Sequence, residues 1–127
     1  MNARTGVAAA LAALASSAAL ACGVCVEDKI AATYDHAVVT GAAARHHVVV
    51  FAAVDGGGVP AEASRALREV AARLKGVDRG SVRAADSPRA LSFALDPRSG
   101  TPEAALAAIE RAPKAAGVRL TLIRVLR

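Results

Sequence analysis

Residues 45–127 alternate between two hydrophobic periods, and the order of those periods limits the fold more than any other feature of the chain. "HHVVVFAAV" (46–54) is short, apolar and β-branched, which predicts a buried strand. "DGGGVP" is a loop by composition. Within "PAEASRALREVAARLKG" (60–76), Ala63, Leu67, Val70, Ala71 and Leu74 recur at steps of three and four, the spacing of one helical face. Pro60 suits the first turn of that helix and Gly76 its stop. "SVRAAD" (81–86) and "RALSFALD" predict two strands joined by a turn at "DSP". The second of them sets Leu91, Phe93 and Leu95 against Ala90, Ser92 and Ala94. Thr101 and Pro102 open a second helix, with Ala105, Leu106 and Ile109 on its inner face and Pro113 ending it near Arg111. "VRLTLIRVL" (118–126) alternates as a half-buried strand. The order is β-α-β-β-α-β. It predicts an α+β fold, the ferredoxin-like sandwich, with two helices on one face of an antiparallel sheet.

The start of the chain has a different character. Arg4 is the only charge before Glu27, and residues 7–20 are Ala, Leu and Val broken only by Ser16 and Ser17. Ala19-Leu20-Ala21 then supplies small residues where a signal peptidase reads. A charged region, an apolar region and a cleavage site in that order predict a signal peptide over residues 1–21. The run is too rich in alanine for a membrane span, which needs about 20 strongly apolar residues. A lipoprotein signal would be cut at the same place, just before Cys22. Its leucine normally stands one residue earlier than Leu20 does, so that match is imperfect. The mature chain is then exported. It is periplasmic, or an envelope lipoprotein contacting the membrane if Cys22 is acylated.

Formal net charge is +5, but the arginines are scattered among acids. Tyr34, Phe51 and Phe93 are the whole aromatic complement, so stacking platforms for bases are missing. The basic balance therefore predicts solubility and not a nucleic-acid partner.

Both cysteines of the chain stand in "CGVC", Cys22 and Cys25. After them Val26, Ile30, Thr33, Ala37 and Val38 recur at helical steps, which predicts one amphipathic helix over 24–40, ending near Gly41. A cysteine pair at a helix N-terminus lies where backbone amides favour thiolate, although Glu27 and Asp28 oppose this. His36 lies eleven residues beyond Cys25. On one continuous helix that is a separation of about 16 Å, too far to share an ion. His46 and His47 would open the first strand and point to opposite faces, so at most one can face a site. The candidate metal ligands are thus Cys22 and Cys25, with His36 or His47 as auxiliaries. Tyr34, Asp35 and His36 lack an apparent nucleophile or base partner and read as a solvated helix face. The three glycines at 56–58 lack the Gly-Lys-Ser/Thr of a phosphate loop. No enzyme site is expected.

Over residues 47–126 the chain resembles the heavy-metal-associated domain of copper chaperones and metal-pumping ATPases. "GVDRGSVRAADSPRALSFALDPRSGTPEAALAAIERA" carries the likeness best: a strand, a turn, a strand ending in Asp-Pro, then a Thr-Pro-Glu helix start. That family's metal motif is Gly-Met-x-Cys-x-x-Cys after the first strand. On this chain Gly56 matches the glycine, Gly57 stands at the methionine, and Val59 and Glu62 stand at the two cysteines. Neither supplies a soft sulfur. The resemblance points to soft-metal handling, and the C-x-x-C at Cys22 and Cys25, in the N-terminal segment 22–44, is read as standing in for the lost loop motif, which gives a non-catalytic protein for Cu(I) or Zn(II). Two other readings stay open: a thiol-disulfide protein using the same cysteines, and a metal-free module that docks on an envelope protein.

Overall fold

The computed structural model describes residues 25–127. The expected leader, residues 1–21, and Cys22 lie outside the described residues. Among the described residues two short helices come first, α1 (Val26–Thr33) and α2 (His36–Ala44). They are followed by β1 (Val48–Gly56), α3 (Pro60–Arg73), β2 (Arg83–Asp86), β3 (Arg89–Leu95), α4 (Pro102–Arg111) and β4 (Val118–Leu126). The fold is α+β. Among the described residues four strands form one antiparallel sheet in the order β2-β3-β1-β4. No helix among the described residues is long and apolar enough to cross a membrane.

The body follows its local sequence closely. Pro60 begins α3, and Ala63, Leu67 and Ala71 face the core. The Thr101 hydroxyl accepts from the Ala104 amide at 3.1 Å and so caps α4, whose Leu106 and Ile109 are buried. Leu91, Phe93 and Leu95 of β3 join them, with Val48, Val50, Ala52 and Val54 of β1. This main core lies between the sheet and the helices α3 and α4. α3 stops at Arg73, three residues before Gly76.

β1 is central, paired to β3 on one side and β4 on the other. Its residues 48–54 are all buried, because both faces of the sheet are covered. The second face holds a smaller core: Val49, Phe51 and Ala94 from the sheet, Ile30 from α1 and Ala42 from α2. Alternation along β1 thus divides its side chains between two cores.

Two expectations are corrected here. There is no single helix over 24–40. The chain turns at Tyr34 and Asp35, both extended, and the Asp35 carboxylate accepts from the Ala37 amide at 2.9 Å and the Val38 amide at 3.4 Å. An aspartate that can cap a new helix competes with continuing the old one. The second correction concerns His46 and His47, which do not open the strand. His46 has φ +58 and closes α2: its amide donates to the Ala43 carbonyl at 3.2 Å, and the His47 amide to the Ala42 carbonyl at 2.8 Å. This is the paired turn that usually carries glycine at the position of His46. A side chain there costs about 1–2 kcal/mol, against roughly 0.5–1 kcal/mol for the greater unfolded freedom of glycine. His46→Gly is therefore expected to stabilise the protein by about 0.5–1 kcal/mol. A thermal melt should show a midpoint a few degrees higher.

Candidate functional site

Cys25 is the residue immediately before α1 and is exposed, with its thiol unlinked. Its sulfur lies 3.9 Å from a carboxylate oxygen of Asp28, one helical turn on. No side chain caps this helix end. α1 is held to the sheet from its first turn. The Arg124 guanidinium of β4 donates to both oxygens of Glu27, at 2.6 and 3.3 Å. That hydrogen bond, and then the charge of Arg124, hold the Glu27 carboxyl below its ordinary 4.5.

The junction between the helices is fixed in a similar way. The Arg83 guanidinium of β2 donates to one oxygen of Asp35 at 3.0 and 3.3 Å, while the other oxygen caps α2. The Arg83 hydrogen bond leads the causes that hold Asp35 below its ordinary 3.8, followed by the Val38 amide. Arg45, just past α2, pairs with Asp78 at 2.6 Å. Asp35 is thus fully engaged in capping and pairing, which leaves no free base beside His36.

The sign of the pH dependence follows directly. Glu27 and Asp35 titrate lower in the folded chain than in the unfolded one. Their contribution is present above the ordinary carboxylate range and is lost as pH falls through the lowered folded values. Tyr34 lies at the junction of α1 and α2 and is the sole tyrosine of a chain without tryptophan. Its near-UV dichroism should hold steady above about pH 5 and decay only below about pH 4.

Of the expected ligands, Cys25, His36 and His47 are among the described residues and Cys22 is not. Cys25 begins α1. His36 is the first residue of α2 and is exposed, with the Tyr34 hydroxyl 3.5 Å from its Nδ1. His47 lies at the far end of α2, largely buried, with Nε2 3.9 Å from an Asp96 oxygen. Its Nδ1 is buried and unpartnered. Among the described residues no three His, Cys, Asp or Glu side chains stand close enough to hold an ion. The contact of His47 with Asp96 escaped sequence reasoning, since it joins groups distant in the chain.

The loop between β1 and α3 has no soft donor. Val59 is exposed at the start of α3, and Glu62 lies in its first turn. Gly56 and Gly57, both at positive φ, pack against the turn that precedes β4. A Cβ on Gly56 would stand 2.4 Å from the Gly117 carbonyl oxygen, and one on Gly57 would stand 2.5 Å from the Val118 side chain. These glycines serve a close backbone approach. The donors at this loop do not suit Cu(I).

Comparison with protein-family models, with curated proteins and with solved structures found no match.

Proposed function

We propose that this is a small exported protein that binds a soft metal ion, Cu(I) before Zn(II), through Cys22 and Cys25, without catalysis. The observation that carries the reading is the position of Cys25. Its thiol is exposed and unlinked at the head of an anchored helix, with the second cysteine of the chain three residues before it. Two thiolates at that spacing are a donor set that selects Cu(I) over harder ions. The reading rests on the thiol pair; His36 heads α2 and His47 follows its end, and among the described residues neither belongs to a group of three His, Cys, Asp or Glu side chains. The periplasmic or envelope location rests on the leader-like residues 1–21.

The body is proposed to be a ferredoxin-like sandwich of the kind seen in heavy-metal-associated domains, without that family's loop ligands. The strand order β2-β3-β1-β4, with α3 and α4 packed in one core, supports this. The covered second face is an addition to that plan.

The test is a Cu(I) titration of the reduced protein against a chromophoric chelator. One copper per chain is expected. Cys25→Ser should weaken binding by more than the roughly 10–100-fold typical of losing an outer-shell partner. Equal competition by the wild type and the variant would refute the site. A pair that stays oxidised in the purified protein would favour thiol-disulfide exchange instead.

A further inference from the structure

We infer that α1 and α2 form a strap that opens from the sheet as a unit, hinged at residues 45–47, and so controls access to the sheet's second face. Four observations point to it. First, no backbone-to-backbone hydrogen bond among the described residues joins the strap to the sheet. The backbone-to-backbone bonds of residues 25–47 among the described residues close within the segment, at Tyr34 to Ile30, Val39 to Asp35 and His47 to Ala42 among others. Opening therefore breaks no strand pairing.

Second, the strap brings little apolar surface. Ile30 and Ala42 are its buried apolar residues, and Val38 and Val39 are half-buried. On the other face, Leu67 and Ile109 are fully buried against Phe93, Leu91 and Val50. Third, closure strands polar groups. Two buried side-chain polar atoms among the described residues lack a partner, the Thr33 hydroxyl and His47 Nδ1. Thr33 is on the strap and His47 is at its hinge. Both would meet water on opening, so closure is opposed by their desolvation. Fourth, the ties that remain are polar side-chain contacts. Glu27 with Arg124 and Asp35 with Arg83 are partly exposed ion pairs, and the Ser92 hydroxyl donates to the Thr33 carbonyl at 3.3 Å. Exposed pairs exchange readily with water and salt.

Together these place the strap at the low end of the molecule's local stabilities. Its opening uncovers Val49, Phe51 and Ala94 and releases the Cys25 end from the body. The hinge already holds a left-handed residue, His46.

Hydrogen exchange read by mass spectrometry on the full chain tests this. Amides of α1 and α2 should exchange faster than those of β1 and β3. Arg124→Gln removes a tie and should speed strap exchange by roughly two- to fivefold. Thr33→Val removes the orphaned hydroxyl and should slow it by at least about fivefold. Neither change should alter α3 or α4. Strap amides that exchange together with β1, or changes spread evenly over all segments, would overturn the inference.

Discussion

Gly56→Ala is expected to destabilise the protein by about 2–4 kcal/mol, a large share of the roughly 5–15 kcal/mol that a domain of this size has. Gly56 sits at φ +70, where a side chain alone costs about 1–2 kcal/mol. The added Cβ would also lie 2.4 Å from the Gly117 carbonyl oxygen. That neighbour is backbone and cannot rotate away, and Gly56 pairs with Val118 at the end of the β1–β4 ladder. The Gly56 carbonyl further accepts from Arg89 at 2.6 Å, so a shift of the loop disturbs a second contact. Denaturant melts would measure the loss. A midpoint unchanged from wild type would show that the β1 loop does not pack against the turn before β4. Gly58 is the internal control for the clash: it has φ +76 but open space around its Cβ position, so only the conformational part of the cost remains there.

Phe51→Ala is expected to cost about 3–5 kcal/mol, the range for emptying a fully packed aromatic site. Phe51 is 1% exposed and is the one large, fully buried side chain of the second core. Its neighbours there are Val49, Ala94, Ile30 and Ala42, and the last two belong to the helices that cover this face. The cavity therefore opens at the joint between sheet and strap, and loss of packing should loosen α1 and α2 along with lowering global stability. Val59→Ala is the matched control. Val59 is 56% exposed, and its truncation should fall within about 0.5 kcal/mol of neutral. A Phe51→Ala cost as small as that of Val59→Ala would mean that the second face is not a packed core.

The second face also shows where sequence reasoning stopped short. The body was legible because each element carried its own period and its own punctuation. Thr101 and Pro102 start α4 where expected, Pro113 follows its end, and β4 spans the residues that the alternation of Val118, Leu120 and Leu122 predicts. The N-terminal pair was not legible as two helices, because the spacing of Ile30, Thr33, Ala37 and Val38 runs straight through Asp35. Asp35 was itself the missed signal, as a capping residue ahead of a second apolar stretch. The need for a cover was visible too. Val49 and Phe51 alternate with Val48 and Val50, so β1 is apolar on both faces, whereas two helices on one face leave the other bare. At the other end of α2, "HHVVV" reads as unbroken strand, yet the turn hydrogen bonds of His46 and His47 end the helix first. The candidate site divides in the same manner. The spacing of Cys22 and Cys25 is a sequence fact, while the places of His36 at the head of α2 and of His47 beyond its end depended on where the chain turns.

The most direct measurement of the soft-metal reading is the intact mass of the protein purified from the cell envelope without reductant, taken first under native and then under denaturing conditions. The predicted result is a chain beginning at Cys22 that carries one copper or zinc natively, loses it on denaturation, and carries none as Cys25→Ser. A metal-free mass short by two hydrogens, or acyl mass on Cys22, would contradict it.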